Sequence, residues 1–105
     1  MELETTQLRV INGPISELSS GSRFVILDVR TIQEFVGDHV KGAVNIPFDE
    51  ISVHINKIKS WKKPVITYSY DGNRSQMASS TLSMLGVKAI DGGAIAKVKA
   101  LMGQP

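Results

Sequence analysis

Residues 65–75 read Val65-Ile66-Thr67-Tyr68-Ser69-Tyr70-Asp71-Gly72-Asn73-Arg74-Ser75, and this stretch decides the fold. Pro64 opens a run rich in β-branched residues, which predicts a strand over 65–68. A polar loop with one glycine follows. Ala78, Leu82 and Leu85 then recur at helical spacing, with Met77 and Met84 beside them as expected core fillers. Gly86 stands where a helix C′ glycine belongs. A buried strand that turns through a glycine into a helix is the repeating unit of a parallel sheet.

The flanking sequence repeats that alternation. Phe24-Val25-Ile26-Leu27 is a continuous apolar run, the pattern of a strand covered on both faces. Thr31-Ile32-Gln33-Glu34 reads as a capping box that starts a short helix through Phe35. Ala43 to Ile46 is a further strand, ended by Pro47. Ile51, Ile55 and Ile58 predict one helix from Asp49 to about Ser60. Toward the N-terminus, Leu8 to Ile11 reads as a short strand and Ile15 to Ser20 as a short helix, with Asn12-Gly13-Pro14 turning between them. Val87 to Ile90 is a last strand, Asp91-Gly92-Gly93 a turn, and Ala94 to Met102 a final helix; Gly103 to Pro105 is expected to fray. The fold class is therefore α/β, a mainly parallel central sheet flanked by helices on both faces, in a single domain over residues 1–105.

Composition narrows the chemistry. The chain has 105 residues, 42% hydrophobic and 21% charged, with net charge +2, which suits one soluble globular domain. It has no cysteine, so disulfide scaffolds and thiolate metal sites are excluded, and two histidines with no carboxylate spacing around them give no metal site. No metal or organic cofactor is implied. No apolar run reaches the length of a membrane span, and Met1 to Gln7 is acidic and polar rather than signal-like, so cytoplasm is the default expectation. Lys57, Lys59, Lys62 and Lys63 read as a solvated helix end rather than a nucleic-acid patch, and few aromatics are present to stack on bases.

In an open parallel sheet, function lies at the carboxyl ends of the strands. After Tyr68, Gly72 can take a positive φ that turns consecutive amides inward, and the first amides of the next helix have no internal acceptor. The helix dipole and Arg74 add positive charge. Residue 69 sits at the focus of these donors, a place for an anion or for a nucleophile that works as one. Tyr70 reads as pocket-lining or exposed. Asn73 and Ser75 read as substrate contacts, Ser75 equally as a plain helix N-cap. Asp71 opposes an anion unless its carboxylate points to solvent.

This loop resembles that of rhodanese-like domains, in which a cysteine stands first, a glycine near the middle and commonly an arginine at the end. A second stretch agrees: Leu27-Asp28-Val29-Arg30, Glu34-Phe35, His39 and Gly42-Ala43-Val44-Asn45-Ile46-Pro47 are similar to the family's N-terminal signature. Leu85-Gly86 through Gly92-Gly93 is a weaker third match, and the tryptophan frequent after those glycines is absent from Ala94 to Val98. The matches run from about Phe24 to Gly93. The resemblance implies a single-domain rhodanese fold and a sulfurtransferase that moves sulfane sulfur through a persulfide at position 69. The donor would be a small anion such as thiosulfate or polysulfide, and the acceptor a thiol or cyanide, with neither nucleic acid nor membrane involved. Asp28, Arg30, Glu34 and His39 are expected to be structural near the site, Asp28 and Arg30 by bonding loop backbone and pairing with Glu34 or each other. Phosphatase relatives have a loop one residue longer, so Ser69 to Arg74 has the sulfurtransferase spacing.

Position 69, however, is serine. Serine forms no persulfide, and its hydroxyl is a nucleophile only beside a base. His39 belongs to the signature stretch and His54 lies far from the loop in sequence, so neither makes a convincing pair with Ser69. The chain as written is expected to lack turnover. Two readings follow: a cysteine enzyme carried here in a serine form, or a non-catalytic module of the same fold that binds an anion or a protein partner.

Overall fold

The computed structural model describes residues 23–105. The strand expected over residues 8–11 and the helix over 15–20 lie outside them. Among the described residues four parallel strands form one sheet in the order β2-β1-β3-β4: β1 (Val25–Asp28), β2 (Val44–Asn45), β3 (Val65–Ser69) and β4 (Ala89–Ala94). Between them run α1 (Ile32–Gly37), a 3-10 turn (Phe48–Glu50), α2 (Ile55–Ser60) and α3 (Asn73–Met84), and α4 (Ile95–Leu101) follows β4.

The continuous apolar runs are explained by two cores, one on each face of the sheet. Val25, Leu27 and Val65 point to a cluster with Val44, Ile51, Ile58, Ala78 and Leu82, which α2 and α3 cover. Ile26 and Tyr68 point the other way, to Phe35, Val40, Ala43 and Val98, which α1 and α4 cover. Alternation along a pleated strand sends neighbours to opposite faces, so a strand covered twice must be apolar throughout. Each fully buried Leu, Ile or Val contributes about 1.5–3 kcal/mol.

Local signals act where they stand. Thr31 and Glu34 form a complete capping box, Thr31 Oγ1 accepting from the Glu34 amide at 3.2 Å and Glu34 Oε1 accepting from the Thr31 amide at 3.0 Å. Gly86, at φ +92, ends α3 in a Schellman motif, in which the Val87 amide reaches Leu82 O at 2.9 Å and the Gly86 amide reaches Ser83 O at 3.1 Å.

Three expectations are corrected. The helix predicted from Asp49 begins only at Ile55. From Glu50 to Ile51 the backbone is closed by three-residue bonds to Pro47 and Phe48, and a turn fills 51–54. The apolar face survives because Ile51 and Ile58 are both buried. Met77 and Met84 are not core fillers, being 50% and 87% exposed. The buried stripe of α3 is Ser75, Ala78, Ser79 and Leu82, and at about 100° per residue Met84 falls on the opposite side from Leu82. Asp91-Gly92-Gly93 is not a turn but part of β4. Thr67 pairs with Asp91 and Ser69 with Ala94, so β4 holds one extra residue, a bulge at the glycines. A Cβ on Gly92 would lie 2.8 Å from Thr67 O, so only glycine lets the strands meet there.

Candidate functional site

Ser69 is the last residue of β3, at the carboxyl end of the sheet, and is fully buried. Its Oγ accepts from the Gly72 amide at 3.1 Å and the Ser75 amide at 3.1 Å. It also donates to Ser75 Oγ at 3.1 Å. The Ser75 hydroxyl in turn donates to Gly72 O at 3.0 Å, with Gly93 O at 3.4 Å beyond. Gly72 makes the turn possible at φ +95, and its open side faces Gly93, whose Cα would lie 3.5 Å from an added Cβ. The bulge of β4 thus forms one wall of the loop. Thr67 Oγ1 braces the far side by donating to Ser75 O at 2.9 Å.

Each of the other loop residues has a definite place. The N-cap of α3 is Gly72, not Ser75, which stands three residues into the helix; its hydroxyl turns back to the N-cap carbonyl. Asp71 is exposed, and its carboxylate accepts from the Asn73 amide at 3.0 Å and from Asn73 Nδ2 at 3.2 Å. Its charge is thereby directed to solvent, and Asn73 is engaged in holding it. Tyr70 is 69% exposed. Arg74 gives both terminal nitrogens to Glu34, at 2.8 and 3.0 Å. The Arg74 guanidinium, with the Thr31 donors beside it, holds the Glu34 carboxyl down to about 2, and the same pairing raises Arg74. Of the two pairings expected for Asp28 and Arg30, with Glu34 or with each other, the structure has the second; Glu34 pairs instead with Arg74.

Asp28 and Arg30 pair with each other. The buried Asp28 carboxylate receives the Arg30 amide at 2.9 Å and Arg30 Nη2 at 2.7 Å. Arg30 Nη2 also reaches Asp38 O at 2.6 Å. Burial opposes the Arg30 charge, and Asp28 outweighs it, so the Arg30 pKa is raised. His39 sits apart from the loop chemistry: its Nδ1 lies 2.8 Å from Phe35 O and its ring stacks on Phe35 with centroids 3.9 Å apart. None of the hydrogen-bond partners of Ser69 Oγ is a histidine.

Two residues near the site were passed over in the sequence. Tyr68, within an apolar run, donates to Asp28 Oδ2 at 2.7 Å and accepts from the Val40 amide at 3.0 Å. Burial and then the Asp28 charge push its phenol pKa up. Asn45 bridges Asp28 O and Arg30 O through Nδ2, at 2.9 and 3.0 Å. The available signal was chemical: a tyrosine or asparagine in a fully buried strand needs a partner.

A parallel sheet that delivers a short residue into a glycine-turned ring of amides, at the start of a helix, defines a class of α/β domains that handle a small anion or an anionic nucleophile. The rhodanese-like domain family matches residues 14–96, and the chain belongs to that family. It is 38% identical over 65 residues to the uncharacterized Bacillus subtilis protein YqhL, covering 62% of this chain and 51% of that one. It is 34% identical over 104 residues to the adenylyltransferase and sulfurtransferase UBA4 of Meyerozyma guilliermondii, covering 77% of this chain and 24% of that protein. The chain thus spans about half or less of the curated relatives it matches. A solved E. coli rhodanese with anions superposes with a TM-score of 0.66 at 27% identity, over 78% of this chain and 94% of that one.

Proposed function

We propose that residue 69 is the sulfur-acceptor position of a rhodanese-type sulfurtransferase scaffold, and that with serine there the chain keeps the cradle and performs no transfer. The observation that carries this reading is the convergence of the Gly72 and Ser75 amides on Ser69 Oγ, each at 3.1 Å. In a cysteine form those two donors stabilise a thiolate and lower its pKa. The thiolate attacks the outer sulfur of thiosulfate; a new S–S bond forms, the S–S bond of thiosulfate breaks, and sulfite leaves. Cyanide or a thiol then takes the outer sulfur and the thiolate returns. Serine cannot follow this route, because its hydroxyl has no base to take its proton: its partners are two amides and the Ser75 hydroxyl. The sulfurtransferase named among the relatives supports the reaction class, and the E. coli rhodanese with anions supports an anionic substrate.

One observation favours the second reading, a non-catalytic anion- or partner-binding module. Both terminal nitrogens of Arg74, the loop's full positive charge, are held by Glu34. The deciding experiment compares Ser69→Cys with the chain as given, in thiosulfate-to-cyanide transfer, with sulfur loading followed by intact mass. The cysteine form is expected to turn over and gain one sulfur atom while the serine form does neither. A folded cysteine form that gains no sulfur from thiosulfate or polysulfide would overturn the enzyme reading in favour of the module. Transfer by the serine form would overturn the claim that Ser69 silences the site.

A further inference from the structure

Lys59, in the last turn of α2, and Lys62 and Lys63, between α2 and β3, read in sequence as a solvated helix end. The fold gives them a partner from elsewhere. Lys88, just before β4, joins them around an open cleft of about 470 Å³, with the buried Ile58 and Val87 at its base. The cleft lies at the amino edge of the sheet, by Pro64, whereas Ser69 closes the carboxyl edge. The length of β3, at about 3.3 Å per residue, puts roughly 16 Å between the two.

Three features suit this cleft to negative charge. First, no Asp or Glu occurs between Glu50 and Asp71 or between Asp71 and Asp91, so the segments that build it carry only positive charge. Second, none of the ion pairs formed among the described residues engages Lys59, Lys62 or Lys88. Third, a lysine is kept at a backbone position that suits glycine better. Lys62 is the one non-glycine residue with positive φ among those described, at +54, in the left-handed region that follows a helix end and favours glycine. Opposite it, the Lys59 ammonium lies against the Gly86 turn, its Nζ in van der Waals range of a Cβ at that position, at 3.6 Å.

We propose that this cleft binds a small polyanion bearing linked phosphates, free or carried on a nucleotide, at a site separate from Ser69. The volume falls in the range of small-molecule sites. Lysine ammonium groups are compact point charges, suited to several phosphate oxygens and less to a planar carboxylate fork. The described lining has no aromatic ring on which a nucleic-acid strand could stack.

The test is a titration of the ¹⁵N-labelled chain with sodium tripolyphosphate, with ADP and with sodium sulfate, at one fixed ionic strength near physiological. Saturable shifts are expected at Gly86, Val87 and Lys62 with tripolyphosphate and with ADP, and much weaker ones with sulfate. Equal affinity for the first two assigns recognition to the phosphates alone; tighter ADP binding adds the apolar base. Lys62→Gly relieves the left-handed strain while removing one charge. It is expected to keep or raise the melting temperature yet weaken binding about three- to fivefold, and adding Lys88→Gln to exceed about tenfold. Sulfate binding as tightly as tripolyphosphate, ADP binding where tripolyphosphate does not, shifts confined to Ser69–Ser75, or unchanged affinity in the folded double variant would each overturn the proposal.

Discussion

Arg74 and Glu34 form a bidentate ion pair at 2.8 and 3.0 Å that ties the first turn of α3 to the capping box of α1. Glu34 therefore does two things at once, because Oε1 also accepts from the Thr31 amide. The loop arginine is oriented by a residue that the sequence places in another element, forty positions away.

That pairing predicts a pH dependence. The folded Glu34 pKa, held down to about 2 by Arg74, lies below the ordinary 4.5, so the pair stabilises fully above about pH 5 and its contribution fades as pH falls from 4.5 toward 2. Both side chains are about one-third exposed, at 32% and 33%, so solvent screening reduces the contribution to about 1 kcal/mol. Urea denaturation of Glu34→Gln against the unaltered chain should show that difference at pH 7 and no more than about a quarter of it at pH 2.5. An equal difference at both would contradict it.

Tyr68→Phe should destabilise the fold by about 2–4 kcal/mol, because it removes a hydrogen bond to the buried Asp28 carboxylate and leaves the Val40 amide without its acceptor. Tyr70→Phe, at a side chain 69% exposed, should change stability by less than about 0.5 kcal/mol. Chemical denaturation of the two variants side by side checks the contrast.

Gly92→Ala drives a methyl group to 2.8 Å from Thr67 O, a backbone atom that cannot give way without parting β3 from β4. A loss of at least about 2 kcal/mol is expected, with amide exchange rising first along β4. Gly37→Ala meets nothing within 4 Å and is expected to be neutral or stabilising by up to about 1 kcal/mol. Equal melting temperatures for the two variants would refute the close-approach argument.

In Ser69→Cys, the two amides that now face Ser69 Oγ should hold the thiol below the ordinary value of about 8.5. The pH profile of iodoacetamide alkylation reads this directly. A midpoint at or above about 8.5 would mean that burial of residue 69 outweighs the cradle.

Much of this was legible in the chain. The runs at 24–27 and 65–68 are apolar because each strand is covered twice, and that constraint is written residue by residue. Thr31, Glu34 and Gly86 act through neighbours three or four positions away, so their roles follow from spacing. The loop from Ser69 to Arg74 was recognisable for the same reason: a glycine turn and the start of a helix are local events. Errors arose where the deciding neighbour was distant. The serines of α3 look like surface residues, yet the helix packs on β3 and β4 with Ser75 and Ser79 buried, Ser75 against Ser69 and Gly93, and Met77 and Met84 are left in solvent. Asp91-Gly92-Gly93 reads as a turn, but the segment pairs with β3 through Thr67 and Ser69, and glycine at 92 tolerates the close approach to Thr67 O.

The sequence by itself determined the alternation of strands and helices, the two-sided sheet and the place of residue 69 at a strand end, because hydrophobic period and capping chemistry act over a few residues. It also determined that this place holds a hydroxyl and not a thiol. Only the tertiary structure decided how charge is distributed around it: Arg74 to Glu34, Asp28 to Arg30 and Tyr68, Asp71 to solvent, and four lysines to the opposite edge. Ion pairs and buried hydrogen bonds depend on distances of a few ångströms between segments remote in sequence, and those distances exist only once the sheet has assembled.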